Sequence, residues 1–170
     1  VKDASANKYF VQEMSSYQLM NMESSPKIAV VTSFFPEHLD YHSSASLTTD
    51  GSPLEEYLEA KTHISKFQSK NDFVFLNANS EGAIAIAQNG EGKKIQFTSE
   101  DAPIDLKSTK LIGIHNLSNI AAAFLVGKHF EIPDDVSIKA IQEFQSLPHR
   151  LQPCGEHHGI NWVDDAISTT

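Results

Sequence analysis

Lys27-Ile-Ala-Val-Val-Thr-Ser-Phe-Phe-Pro-Glu-His-Leu-Asp-Tyr-His42 is the stretch whose reading decides the fold. Its apolar start, Ile28 to Val31, has the composition of a buried strand. The strand stops in a loop rich in Pro, His and acid, and α/β sheets bind ligands beyond the carboxyl ends of their strands. From Ser43 the chain is Ser/Thr/Asp/Gly/Pro-rich, with Asp50-Gly51 as the expected turn. Ser52-Pro53 then offers a Ser cap and a Pro at the first helical position, with Glu55 and Glu56 in the first turn. A helix is expected from Leu54 to Phe67, with Lys61 near its middle.

Outward from this stretch, strands and helices alternate. Tyr9-Phe-Val-Gln-Glu13 reads as a strand end and Met14 to Met20 as a turn into a short helix. Phe73 to Leu76 is a second buried strand. Ile84 to Ala87 and Lys93 to Thr98 read as extended segments around an Asn89-Gly90 turn, a small hairpin region. Gly90-Glu-Gly-Lys-Lys94 lacks the spacing of a nucleotide phosphate loop, because Ala87 and Lys94 stand where Gly and Ser/Thr are needed. Leu117 to Phe130 is the strongest helix, and another is expected from Pro133 to about Phe144. Gly159 to Val163 is a final strand. The fold class is therefore α/β, a mostly parallel sheet flanked by helices. A chain opening so close to a strand is expected to have lost upstream sequence.

The bulk properties bound the function. The chain has 170 residues, 40% hydrophobic and 21% charged, enough for one sizeable core. Its 22 acids against 13 Lys and Arg give a net charge of -9, which argues against a nucleic-acid partner. An acidic protein that handles phosphates needs metal ions to bridge like charges. The single cysteine, Cys154, excludes an internal disulfide and suits a reducing compartment. The longest apolar run, Ile120 to Val126, is far short of the ~20 residues a membrane helix needs. No signal peptide is visible, so the cytoplasm is the expected location.

Several stretches, in order, resemble the Mur ligase family of ATP-dependent amide-forming enzymes. Glu13-Met-Ser-Ser-Tyr-Gln-Leu19 is similar to Glu-x-Ser-Ser-Phe-Gln-Leu, and Pro36-Glu-His-Leu-Asp40 to Pro-Asp-His-Leu-Asp. Tyr57-Leu-Glu-Ala-Lys61 is similar to Tyr-x-x-Ala-Lys, and Gly113-Ile-His-Asn-Leu-Ser-Asn119 to Gly-x-His-Asn-x-x-Asn. Leu147-Pro-His-Arg150 resembles the interdomain segment, and Asp165-Ala-Ile-Ser-Thr169 an Asp-Ser-Lys/Ile-Ala/Ser-Thr run. The resemblance implies a central ATP-binding domain over residues 1–146, P-loop-NTPase-like but without its phosphate loop. Residues 147–170 would be a linker and the first strand of a Rossmann-like C-terminal, amino-acid-binding domain. The motif details favour a glutamate-adding enzyme of peptidoglycan synthesis, and hence of cell wall biogenesis, cell shape and cell division. Its partners would be UDP-N-acetylmuramoyl-L-alanine and glutamate, its cofactors ATP and Mg2+, and its state a monomer.

What the resemblance implies residue by residue follows from the chemistry. Carboxylate and γ-phosphate are both anions, so cations must bring them together. Glu13, His38 and Lys61 are implied as the catalytic, metal-binding set, with Lys61 carbamoylated by CO2 once its amine is neutral. Without the motif, Glu13 is an exposed strand-end acid, His38 one of eight histidines and Lys61 a surface lysine. Lys61 as an unmodified phosphate-binding cation is an intermediate reading. Asn116 and Asn119, three apart on one helix face, match the edge of adenine; Asn116 as a helix cap is compatible with this. Arg150 is implied for the ATP phosphates and Asp165 for the ribose. Ser15, Ser16 and Gln18 fall near the muramoyl substrate and Thr169 near the incoming amino acid. Glu37 stands where the family has Asp, Ile167 where many members have Lys, and the loop after His42 is long.

Two alternatives accompany this reading. One is a sibling enzyme: another Mur or folylpolyglutamate-synthase-like ligase, or an L-glutamate-adding variant. The other is a non-catalytic binding domain. The 170 residues by themselves are expected to show no ligase turnover.

Overall fold

The computed structural model describes residues 9–37, 39 and 52–167. Three strands, β1 (Ile28–Val31), β2 (Phe73–Asn77) and β3 (Lys93–Phe97), form a parallel sheet in the order β1-β2-β3. Ile28 lies opposite Phe73, and Phe73 opposite Lys93. Successive side chains point to opposite faces, which divides the core in two. Ala29, Val31, Val74 and Leu76 pack on Ala83, Ile86 and Ala87 on one side. Phe75 and Phe97 pack on Ala121 and Ala122 on the other. β2 is buried on both faces, so its sequence is a continuous apolar run.

The connections are helical. α1 (Ser16–Leu19) precedes β1, α2 (Pro53–Thr62) links β1 to β2, and α3 (Glu81–Ala87) links β2 to β3. α4 (Asn116–His129) lies on the second face, followed by α5 (Asp134–Glu143). The slim Ala121 and Ala122 are what let α4 approach the two phenylalanines. β4 (Gln152–His157) and β5 (Ile160–Asp164) pair antiparallel with each other and with no strand of the first sheet. His158 and Gly159, with φ of 53° and 75°, form the two-residue turn between them. Among the described residues no helix is long and apolar enough to cross a membrane.

The start of α2 matches its sequence signature. Ser52 caps it, its Oγ accepting from the Glu55 N–H at 3.3 Å while Glu55 Oε2 accepts from the Ser52 N–H at 2.8 Å. Four expectations need correction. Tyr9 to Glu13 is not a strand: Tyr9, Phe10 and Val11 are exposed, with no ladder partner among the described residues. α2 ends at Thr62 rather than Phe67, which puts Lys61 in its last turn. The hairpin region around residue 89 does not exist, because Ile84 to Ala87 is helical and β3 pairs parallel with β2. The apolar set Ala83, Ile86, Ala87 has the helical i, i+3, i+4 spacing, and Ser80 Oγ caps the helix by accepting from the Ala83 N–H. Gly90 serves close packing, since a Cβ there would lie 2.0 Å from the Ser65 carbonyl oxygen. Finally, the expected strand Gly159 to Val163 is β5, but its partner β4 was not foreseen.

Phe75 is 1% exposed and Phe144 54%. Phe75→Ala is therefore expected to cost about 3–5 kcal/mol, and Phe144→Ala within about 0.5 kcal/mol. Equilibrium urea unfolding checks both, and equal losses at the two positions would contradict the two-faced core.

Candidate functional site

The chain leaving β1 is aimed by a side chain of the neighbouring strand. Asn77, the last residue of β2, donates from Nδ2 to the Thr32 carbonyl at 3.0 Å. Beyond Thr32, Phe34 turns back under the site, its ring centroid 5.2 Å from that of Tyr57. Gly82 makes room for it, since a Cβ there would lie 2.5 Å from Phe34 carbon atoms. Glu37 then reaches a cavity of about 300 Å³ at the carboxyl end of β1.

That cavity brings together residues far apart in the chain: Glu13 and Met14, the α1 cap Ser15 with Ser16 and Gln18 of the helix, then Glu37, and Tyr57 with Lys61 from α2. Tyr57 and Lys61 are four apart, hence on one helix face, and the Lys61 Nζ lies 5.3 Å from the Tyr57 ring centroid. Burial holds the Lys61 amine below its ordinary value of 10.5, while the negative charges of Glu37 and Glu13 pull in the opposite direction. Burial wins. Burial also raises the Tyr57 hydroxyl above 10.0, assisted by Glu37 and Tyr17. The result is a lysine unusually able to be neutral, with two carboxylates beside it. Hard oxygen donors of this kind suit Mg2+, and the donor set fits a divalent cation. Among the described residues no group of three or more His, Cys, Asp and Glu forms a ready-made metal cluster.

Ser15 and Gln18 are engaged with each other. The Ser15 N–H donates to Gln18 Oε1 at 2.9 Å, and Ser15 Oγ accepts from the Gln18 N–H at 3.4 Å. This capping box lets a four-residue helix exist at all. Ser16 is buried at 1% exposure. These three residues therefore shape the wall of the cavity as much as they face it. His63 is structural, its Nδ1 3.0 Å from the Leu19 carbonyl oxygen, which ties α2 to α1. His38 and Thr169 lie outside the described residues.

The remaining candidates form a second group. Asn116 opens α4 and its Nδ2 donates to the Ile112 carbonyl at 2.7 Å; Asn119 Nδ2 donates to Asn116 Oδ1 at 3.1 Å. The helix cap is His115, which makes no side-chain capping bond, so Asn116 is not the cap. Asp165 Oδ1 accepts from the Leu151 N–H at 3.1 Å, which ties Asp165 to the residue that follows Arg150. Leu151 in turn packs on Gly113, where a Cβ would lie 3.2 Å from Leu151 Cδ1. The asparagine and arginine segments thus meet at one junction. None of the four lines the Lys61 cavity. Sequence reasoning gave Tyr57 no role of its own and assigned Glu37 no contact with Lys61. The i, i+4 spacing was a signal for Tyr57; nothing local signalled Glu37.

The Mur ligase middle domain model matches residues 2–108. The chain is also similar to curated relatives. It is 31% identical to the UDP-N-acetylmuramoylalanine--D-glutamate ligase of Clostridium kluyveri, over 100% of the chain and 39% of that protein. It is 31% identical to the protein of the same name in Streptococcus pyogenes serotype M1, over 99% of the chain and 39% of the relative. The chain spans about two fifths of the length of these relatives.

Lys61 is expected to titrate below 10.5 in the folded protein. Because the Glu37 charge favours the ammonium, Glu37→Gln should lower the value further. Carbon-13 NMR of side-chain-labelled lysine reads both. In linkage terms the unfolded chain holds this proton more tightly. The resulting cost to folding is fully present below the folded pKa and vanishes as pH rises past 10.5. A Lys61 signal that titrates with the exposed lysines would refute the burial argument.

Proposed function

Because this chain belongs to the Mur ligase family, we propose that it acts as an ATP-dependent ligase. The reaction joins glutamate to UDP-N-acetylmuramoyl-L-alanine by an amide bond, in peptidoglycan precursor synthesis. The observation that carries the reading is the desolvated Lys61 in one cavity with Glu13 and Glu37. The relatives' names, which state D-glutamate and a UDP-muramoyl-alanine, support the substrate pair.

In this reading the acceptor carboxylate takes the γ-phosphoryl group of ATP and becomes an acyl phosphate. The amine of glutamate attacks its carbonyl, and inorganic phosphate leaves. The neutral amine of Lys61 adds to CO2 and loses a proton, so that a side chain that is otherwise a cation carries an anionic carbamate. Glu13, His38 and the modified Lys61 are the residues that would hold Mg2+, which supplies charge neutralisation between carboxylate and phosphate. Tyr57 covers one side of the lysine and keeps water from it. Asn116 and Asn119 hold adenine, Arg150 the phosphates and Asp165 the ribose. Ser15, Ser16 and Gln18 form the muramoyl side, and Thr169 meets the amino acid. Residues 1–146 form the ATP-binding domain and residues 147–170 lead into the amino-acid-binding one. The enzyme works in the cytoplasm, as a monomer, and its product serves cell wall growth, cell shape and division.

The test uses the full-length gene product. Lys61→Ala should lower ligation by about 10²–10³-fold or more, the scale of losing a main electrostatic group, and short carboxylic acids should restore part of it. With ¹³CO2, wild type should show a carbamate resonance that Lys61→Ala lacks. Unchanged turnover in the variant would remove Lys61 from the reaction.

A further inference from the structure

We propose that His149 and Asp164 form a clasp that positions Arg150 and Asp165 for the nucleotide, without touching it themselves. The inference rests on the reading of Arg150 and Asp165 as nucleotide contacts given above. Its basis is a knot of hydrogen bonds between two short segments. His149 Nδ1 and Asp164 Oδ2 are 2.7 Å apart. The Leu151 N–H donates to Asp165 Oδ1 at 3.1 Å, and the Ile167 N–H to the His149 carbonyl at 3.3 Å. On the second segment the Ala166 N–H donates to Asp164 Oδ1 at 3.1 Å. On the first, the His149 N–H donates to Gln152 Oε1 at 3.0 Å. Both residues flanking Arg150 are strained: His149 has φ of 65° and Leu151 of 42°.

Non-glycine residues hold such a backbone only where their surroundings over-determine it, and such strain clusters at functional sites. Here the over-determination falls on either side of one arginine, which the structure leaves exposed. The same knot fixes one oxygen of Asp165 to backbone, so the orientation of that carboxylate is set as well. The two groups assigned to the nucleotide thus come from one small assembly, and the His149–Asp164 bond closes it. Stability is a poor reason for the bond. The two side chains are 58% and 30% exposed, and an exposed ion pair contributes little to folding. A bond that does little for folding yet closes this knot is suited to placing side chains.

The test is made on the full-length gene product with ATP as the probe. His149→Ala and Asp164→Ala should each raise KM for ATP by roughly three- to thirtyfold, within the range for a lost coupling between contacting groups. kcat at saturating ATP and the thermal midpoint should stay near wild type. His149→Asn, which keeps an N–H donor and tolerates the positive φ, should restore most of the affinity. In an Arg150→Ala, Asp165→Ala background His149→Ala should add nothing further. A wild-type KM in His149→Ala, or an effect that adds in full to that of the Arg150→Ala, Asp165→Ala pair, overturns the clasp. If Arg150→Ala and Asp165→Ala leave KM unchanged, the nucleotide reading itself fails and takes the clasp with it.

Discussion

The structure depends on one strand being dry on both sides. β2 places Val74 and Leu76 against α3 and Phe75 against α4, and all three are at most 2% exposed. A one-residue slip would exchange the two faces and put Phe75 where the small residues of α3 pack. The register is held further by Gln68, whose Nε2 donates to the carbonyls of Pro26 and Phe73 at 2.9 and 2.8 Å. One buried amide thereby joins the entries of β1 and β2. With the strands parallel and aligned, their carboxyl ends come out together, and the Asn77–Thr32 bond turns that alignment into a direction for the loop carrying Glu37.

The cavity follows from this placement. Lys61 sits in the last turn of a well-capped helix, where a cation interacts favourably with the helix dipole. Burial works against the same cation. Two carboxylates offset part of that penalty without abolishing it. The balance, with Tyr57 on one side and Glu13 and Glu37 lining the same cavity, lowers the hold of the amine on its proton relative to an exposed lysine. Phe34 and Gly82 contribute indirectly, because the stack from Gly82 through Phe34 to Tyr57 sets where the ring stands.

The nucleotide candidates are organised by a different principle. The Lys61 cavity is built by burial, whereas the segment around Arg150 and Asp165 is exposed and relies on a dense set of short-range hydrogen bonds. Exposed hydrogen bonds contribute little net stability each. Their effect is geometric, and it includes holding two residues at positive φ beside an arginine.

Much of this was legible in the residue order. β1, β2, α2, α4 and α5 follow from apolar period, cap residues and turn chemistry, which act over a few residues. Glu13, Ser15, Ser16, Gln18 and Lys61, drawn together from motifs up to 48 positions apart, do share one cavity. Other features were not legible. Ile84-Ala-Ile-Ala87 alternates as a strand would, and only the sheet surface beneath it selects the helix. The chain from Tyr9 to Glu13 has strand composition and finds no ladder partner among the described residues. β4 carries Pro153 and Gly155, poor strand residues whose pairing is dictated by β5. Local sequence sets propensity and spacing. The depressed affinity of Lys61 for its proton, the approach of Glu37 and the strained knot around Arg150 belong to tertiary structure, because desolvation and Coulomb interactions depend on which distant atoms displace water.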